Sequence, residues 1–238
     1  MLAGTAACGP LMKTQIRMEA NPYDAKGWRQ TKEGITVEMK EVKALPPEFS
    51  AQAQACNQNG QLLVDAQNQP VIENVGLISS DYGENITKLS IANSTQHVLY
   101  LNRVIVHTID PAGNKYDLLS KNQLESMLQS ARPCPSTSGL LSRFATVKVF
   151  DRANSEVDPG DSWTGYVITG PVNTDVFLVP GMWKLALYEI PVATDAAGNV
   201  TKTTNFDLRT MVKKYVDTYQ ADNMFSPYKL VSSKAADQ

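Results

Sequence analysis

The sequence predicts a mainly β protein, an antiparallel β-sandwich, on three observations. Apolar and polar residues alternate in short runs along most of the chain, which is typical of half-buried strands. Gly, Pro, Asn and Asp separate these runs at intervals of roughly 8 to 12 residues, as they do between sandwich strands. The chain has 238 residues, of which 42% are hydrophobic, enough for the core of one large or two small domains.

The first 33 residues are predicted to form an extended tether. They show no sustained apolar period, and Asn21-Pro22 and Lys26-Gly27 are turn signals. Trp28 is expected to anchor this segment.

The start of the chain is small and apolar up to Cys8, like the end of a signal peptide. Ala6-Ala7-Cys8 resembles the lipobox of bacterial lipoproteins, in which the cysteine receives the lipid. Thr5 departs from that pattern, which usually has an aliphatic residue there. Gly9 is not the Asp that retains such proteins at the inner membrane, so the resemblance implies the outer membrane. The alternative is an unstructured tail with an unrelated thiol.

The first sandwich strand is predicted to follow Gly34. Residues 35–43 alternate apolar and polar side chains, and Pro46-Pro47 ends the run. Residues 51–69 are rich in Gln and Asn, and the Asn59-Gly60 turn favours a polar hairpin. A low-complexity loop is the alternative for that segment.

The most regular strand pattern lies in the middle of the chain. Residues 86–91 alternate, and residues 98–109 form a β-rich run with apolar residues on both faces, which predicts a central sandwich strand. Ser120 can cap a short inserted helix. A loop is predicted over residues 132–139.

Further strands are predicted in the second half, separated by Gly- and Pro-containing turns. They cover residues 144–150, 162–169, 175–179, 182–192 and 200–205. The turns at Asp110–Asn114 and Asp195–Asn199 share a pattern in which Gly supplies a positive φ. A calcium loop is the alternative, but it needs more oxygen ligands and a distal Glu.

A C-terminal helix is predicted to begin at Asn205, which can cap it, and to end near residue 221. Apolar residues recur three and four positions apart, and the group comprises Phe206, Met211, Val212, Tyr215, Val216 and Tyr219. This face either packs on the sandwich or docks onto a partner. Residues 226–238 are expected to fray. The predicted organisation is a tether over 1–33, a sandwich over 34–204, and a helix with a polar tail over 205–238.

Besides Cys8, the chain has two cysteines, Cys56 and Cys134, in polar, turn-rich segments. A disulfide between them would suit an oxidising compartment, and two separate thiols are the alternative. Neither has a CxxC partner and both histidines lie elsewhere, so no metal site is predicted.

Composition and motifs narrow the function classes. The chain has 22 basic and 24 acidic residues, and the basic ones are spread out, which argues against a nucleic-acid partner. No run approaches the roughly 20 apolar residues of a membrane-spanning helix. The sequence has no nucleophile elbow, zinc-protease motif, phosphate-binding loop or dinucleotide fingerprint. We therefore predict a non-enzymatic protein without a cofactor.

Several turn motifs resemble those of immunoglobulin-like domains in bacterial envelope lipoproteins. Asn93-Ser-Thr95 precedes a β-rich run that ends in Asp110–Tyr116, and Val157–Asp161 leads into a strand that contains Gly165. A strand with Tyr188 completes the pattern, which covers roughly residues 84–204. The resemblance implies a periplasmic binding or scaffolding module with no catalytic residues.

The expected function is that of a structural subunit of a multimeric envelope assembly, such as a secretion-system core complex, anchored through Cys8 to the periplasmic face of the outer membrane. Its partners would be other envelope proteins. The candidate contacts are Trp28, the Gln/Asn-rich hairpin, and Met211, Tyr215 and Tyr219.

The alternative function is a periplasmic binding module for a glycan or peptidoglycan. Exposed Trp163 or Trp183 beside an open cleft would favour that alternative, whereas buried tryptophans would favour assembly.

Overall fold

A computed structural model describes residues 11–22, 24, 27–41, 46–77, 86–132, 134–151, 156–170, 179–195, 197, 199–222 and 226–236. Within these ranges the chain is mainly β, as predicted. The strands are β1 (Leu11–Pro22), β2 (Arg29–Lys32), β3 (Ile35–Glu41), β4 (Ser50–Gln54), β5 (Ile72–Gly76), β6 (Ile86–Asn93), β7 (Leu99–Tyr100), β8 (Ile105–Ile109), β9 (Lys115–Leu118), β10 (Glu156–Val157), β11 (Ser162–Gly170), β12 (Gly181–Thr194), β13 (Val200–Ala221) and β14 (Lys229–Ala235). The helices are α1 (Lys121–Ala131) and α2 (Thr137–Phe144), with short 3-10 helices at Pro47–Phe49 and Leu101–Arg103.

One antiparallel sheet of ten strands dominates the fold. Its order is β1-β13-β12-β8-β9-β11-β6-β3-β2, and β14 pairs with β13. The sheet curls until the segment leading into β2 meets β13: the Arg209 backbone N–H donates to the Gly27 carbonyl at 2.6 Å. Near it, the Gln30 side chain donates to the Asp207 carbonyl at 2.5 Å. The two ends of the curled sheet are therefore hydrogen-bonded to each other, and the sheet encloses a common interior.

Two hydrophobic cores flank β11, which is buried on both faces. The main core fills the interior of the curled sheet and includes Trp163 and Val167 of β11. The second core lies between the other face of β11, the two α-helices and the β4–β5 ribbon, and it includes Tyr166 and Ile168. Successive side chains of a strand point to opposite faces, so one strand can serve both cores.

The predicted inserted helix is confirmed as α1, and Ser120 caps its start, as predicted. Ser120 Oγ accepts from the Gln123 backbone N–H at 3.3 Å, and the Gln123 side chain accepts from the Ser120 backbone N–H at 2.8 Å. This reciprocal pair is a capping box, which satisfies backbone donors that the first helical turn leaves free.

Three predictions for the middle of the chain are wrong. Residues 98–109 do not form one strand, because a 3-10 helix separates β7 from β8 and lets Leu101 and Val104 both reach the main core. The predicted loop over 132–139 is replaced in part by α2. Of the predicted strand over 144–150, Phe144 ends α2, and the residues after it form a turn and a single bridge between Val149 and Tyr166. Leu140 and Phe144, four residues apart, bury one face of that helix in the second core.

The predicted tether is also wrong from Leu11 onwards, because residues 11–22 form β1 and pair along their length with β13. Polar side chains alternate there with a row of mostly apolar ones: Met12, Thr14, Ile16, Met18 and Ala20. This period of two is a strand signal.

The C-terminal helix and the frayed tail are wrong as well. Residues 200–221 form a single strand, and residues 229–235 form β14. The segment 205–221 is rich in Val, Thr and Tyr, which favour strands. Of the predicted strand over 175–179, only Val179 lies within the described residues, and Cys8 lies outside them.

Candidate interaction surfaces

A three-stranded extension leaves the curled sheet past Val212, which is the last residue of β13 to pair with β12. Among the described residues, β13 pairs beyond that point only with β1 and β14. We call this extension the arm and define it as residues 11–19, 213–222 and 226–235. At a rise of about 3.3 Å per residue, the arm is about 30 Å long.

A buried carboxylate holds the three strands of the arm together. Asp217 is 2% exposed; it accepts from Arg17 Nε at 2.9 Å and from Ser233 Oγ at 2.5 Å. These two hydrogen bonds, that of Ser233 first, lower the pKa of Asp217 below its usual value. Arg17 also pairs with Glu19 at 2.5 Å and lies 4.7 Å over the Tyr215 ring. The carboxylate therefore remains ionised and links β13 to both neighbouring strands.

The other face of the arm carries apolar side chains. Met12 and Ile16 are 57% and 60% exposed, and Val216 lies opposite Ile16 in the register. At the far end, exposed apolar residues also lie on the face of Asp217, where Leu11 pairs with Ala221 and Leu230 pairs with Tyr219. We call this end the tip and define its apolar residues as Leu11, Met12, Tyr228, Leu230 and Val231.

The predicted partner-binding residues are divided between the body and the arm. Trp28 is half-buried against the main core, and its Nε1 donates to Thr210 Oγ1 at 2.9 Å. Met211, Tyr215 and Tyr219 are half-buried on one face of β13, because residues two or four apart share a strand face. The structure thus brings these three residues into one stripe and leaves Trp28 elsewhere.

The Gln/Asn-rich segment forms two successive turns at the end of the β4–β5 ribbon. Three backbone bonds join Ala55, Leu63 and Val71 in a ring: Ala55 N–H to Val71 O at 2.8 Å, Leu63 N–H to Ala55 O at 2.8 Å, and Val71 N–H to Leu63 O at 3.2 Å. We call residues 55–72 the double turn. The predicted hairpin is confirmed in part: the Asn59-Gly60 turn brings Cys56 opposite Leu62 in an antiparallel bridge. A second turn follows it, however, and β4 pairs with β5 rather than with residues 62–69.

The same side-chain chemistry closes both turns. Asn57 Oδ1 accepts from the backbone N–H groups two and four residues later, at 2.9 and 3.0 Å. Asp65 Oδ1 does the same at 2.9 and 2.8 Å. Gly60 and Asn68 supply the positive φ, at 77° and 62°.

The two matching sequence motifs have this geometry too. Asp110 Oδ1 accepts from the Asn114 backbone N–H at 2.8 Å, and Asp195 Oδ1 accepts from that of Asn199 at 2.8 Å. Gly113 has the predicted positive φ, at 91°. In the described part of the chain, no three His, Cys, Asp or Glu residues come together as metal ligands would.

The double turn is fixed to the helices and exposes aliphatic side chains. Cys56 is joined to Cys134 in a disulfide, with the two Cα atoms 6.2 Å apart. Arg132 Nη1 lies 2.5 Å from Glu73 Oε1, and Arg132 Nη2 donates to the Gln54 carbonyl at 3.0 Å. Five aliphatic residues are 37% to 55% exposed: Leu62, Leu63, Val64, Val71 and Ile72.

Two other pairs of titratable side chains in the described residues link neighbouring elements of the fold. The Tyr166 hydroxyl, whose ring belongs to the second core, donates to the exposed carboxylate of Glu48. Burial, and then this bond, raise the pKa of Tyr166 to about 12, while the bond lowers that of Glu48. His107 Nδ1 lies 2.8 Å from Asp117 Oδ1 across the β8–β9 pair. Both pairs connect neighbouring elements.

Neither described helix has the length and apolarity that crossing a bilayer requires. No match to this chain was found among protein-family models, curated proteins or solved structures.

Proposed function

We propose that this chain is a non-enzymatic lipoprotein on the periplasmic face of the outer membrane and a structural subunit of a larger envelope assembly, such as a secretion-system core complex. One observation carries the proposal. Of the thirteen large apolar residues that are exposed in the described chain, eleven lie on the arm or the double turn. Contiguous apolar patches on a soluble surface mark interaction sites.

The double turn is the proposed docking site for a protein partner. Its backbone ring, the disulfide and Arg132 hold it in place, so binding costs little conformational entropy. Within residues 55–72 the only charged side chain is Asp65, whose Oδ1 already accepts two backbone N–H groups. An apolar, uncharged protein surface is the partner that this patch would accept.

The burial of the tryptophan side chains favours assembly over glycan binding. Trp163 and Trp183 are buried, at 5% and 6% exposure, and Trp28 is half-buried against the main core. Neither Trp163 nor Trp183 therefore offers the exposed ring on which a sugar could stack, and the Trp28 indole is held by its hydrogen bond to Thr210. The Cys56–Cys134 disulfide suits an oxidising compartment such as the periplasm.

We further propose that the curled sheet is a variant of the immunoglobulin-like sandwich. The turn motifs at Asn93 and Asp110 support this relationship, as does the close packing of Gly165 in β11.

The test is mass spectrometry of the tagged protein, purified from gently solubilised native membranes. We expect a lipid adduct on Cys8 and stoichiometric partner chains. A double variant, Val64→Gln with Ile72→Gln, should lose those partners without a change in melting temperature. Val179→Gln replaces an exposed aliphatic residue outside both patches and should keep them. An unmodified chain without partners would refute the proposal.

A further inference from the structure

We infer that the tip of the arm makes a second, direct contact with the membrane by resting on an anionic lipid surface. The inference deepens the proposed function and rests on it for the location of the protein. It concerns residues of the folded arm rather than the lipid anchor.

The register of the arm collects apolar and amphipathic side chains at one end. β1 begins, β13 ends and β14 begins there, since Leu11 pairs with Ala221 and Tyr219 pairs with Leu230. The five tip residues are 41% to 57% exposed. Leucine, methionine and valine can enter the boundary of the acyl chains, and tyrosine favours the headgroup level of a bilayer.

Charge at the tip complements an anionic surface. Lys13 lies opposite Tyr219, and Lys229 lies opposite Gln220, both beside the apolar tip residues. The arm has six basic and three acidic residues, whereas the whole chain has a net charge of −2. Two of the acids, Glu19 and Asp217, are paired with Arg17. The third acid, Asp222, follows Ala221 at the tip, where Lys13 and Lys229 outnumber it by two to one. Long lysine side chains can place their charges at headgroup level beside buried apolar groups.

The position of Cys8, close to Leu11 in the chain, also places the tip at the membrane if Cys8 carries a lipid. Cys8 precedes Leu11 by three residues, and three residues span at most about 11 Å even when fully extended. A lipid on Cys8 would therefore hold the tip, rather than the double turn or the body, at the bilayer. The arm of about 30 Å would then separate the body of the protein from the membrane.

Flotation with vesicles tests this contact without the lipid anchor. The full chain carrying Cys8→Ser is mixed with an excess of vesicles of phosphatidylethanolamine and phosphatidylglycerol at 3:1, or of phosphatidylcholine alone. We expect flotation with the anionic vesicles, weakened by salt, and little with the neutral ones. Met12→Gln with Leu230→Gln should lower the bound fraction at least fivefold. Lys13→Gln with Lys229→Gln should remove most of the dependence on salt.

The matched control is the double-turn variant, Val64→Gln with Ile72→Gln, which alters equally exposed residues and should float like the parent. A position-specific readout uses Leu230→Trp, whose fluorescence brominated lipid should quench, with Val179→Trp as the unquenched reference. Absence of both flotation and quenching would overturn the inference, and so would equal loss of flotation in the control. If the tip variant loses protein partners in native membranes while no vesicle binding occurs, the tip docks onto protein and the membrane contact is wrong. The proposed function survives if the partners seen with the unaltered chain remain dependent on the double turn.

Discussion

At the residue scale, Gly165 shows how one position sets the packing of β11. A Cβ atom there would lie 2.7 Å from atoms of the Trp163 ring and too close to the Lys148 carbonyl oxygen. Trp163 in turn contacts Phe150 edge-on, with ring centroids 5.2 Å apart, inside the main core. The absent side chain lets the indole lie flat against the strand.

Gly165→Ala should therefore destabilise the protein, by roughly 1–3 kcal/mol, because the tryptophan has to move out of a packed core. Urea unfolding followed by tryptophan fluorescence measures the change. Gly139→Ala is the matched control, since nothing lies within 4 Å of a Cβ at that helical position. The control should be neutral or slightly stabilising. Equal effects at the two sites would contradict the packing argument.

Asn93 is a second residue that determines local structure, because its side chain holds the Asn93-Ser-Thr95 turn in place. It is 1% exposed, and its Nδ2 donates to the carbonyls of His97 and Val157 at 2.7 and 2.9 Å. Its Oδ1 accepts from the Thr95 backbone N–H and hydroxyl, at 2.9 and 2.7 Å. One amide thus fixes the turn after β6 and the strand β10.

Asn93→Ala should cost roughly 2–4 kcal/mol, because it leaves several buried polar groups without partners. Thermal unfolding measures the loss. Asn102→Ala changes an exposed asparagine and should stay within about 0.5 kcal/mol of the parent. A small loss in Asn93→Ala would mean that water replaces the amide.

At the scale of elements, the arm depends on an ionised side chain where a strand ribbon would ordinarily depend on an apolar layer. Asp217 joins β13 to β1 through Arg17 and to β14 through Ser233. Its pKa is lower in the folded protein than in the unfolded chain, because both hydrogen bonds favour the carboxylate. The contribution of Asp217 is therefore present above its unfolded pKa of about 3.9 and is lost as the pH falls through the folded pKa.

The protection of the arm's amides, measured relative to the intrinsic exchange rate, should consequently fall below about pH 4. In Asp217→Asn, exchange should already be faster at pH 7 and should show little further acid sensitivity once corrected for the intrinsic rate. Glu156→Gln, which alters an exposed carboxylate of β10 outside the arm, is the control. Unchanged protection of the arm in Asp217→Asn would show that backbone pairing alone maintains it.

At the scale of the whole molecule, the Cys56–Cys134 disulfide connects the double turn to the helical side of the second core. It links residues 78 positions apart in sequence, so reduction frees a long loop in the unfolded state. Such a bond contributes roughly 2–4 kcal/mol. Its loss should affect the second core before the main core, because Cys56 follows β4 and Cys134 lies between α1 and α2, and these elements line the second core.

Cys56→Ser with Cys134→Ser should lower the free energy of unfolding by that amount, and dithiothreitol should have the same effect on the parent protein. Denaturant titration measures both, and exchange in β4 and β5 reports the local loosening. Cys8→Ser should unfold like the parent. If the reduced parent and the oxidised parent unfold alike, the bond adds nothing to stability.

Strands and helix starts could be predicted from the sequence where their signals lie in a few neighbouring residues. β3, β6, β11 and β12 follow local alternation or β-rich runs, and Ser120 with Gln123 encodes the start of α1. The aliphatic surface of the double turn was harder to recognise, because Gln and Asn dominate that segment. Its signal was a repeat eight residues long, with Asn57 and Asp65 each opening a turn.

By itself, the sequence determined the mainly β class, the chemistry of the turns at Asp110 and Asp195, and the presence of two cysteines able to pair. Only the tertiary structure decided that residues 205–221 extend as a strand, because residues 210–221 pair with β1, about 200 residues earlier in the chain, while the residues up to Val212 pair with β12. Spacing within one segment fits more than one period, and pairing with a distant strand selects among them by satisfying the backbone and by burying one face. The arm and its exposed tip are consequences of that distant pairing.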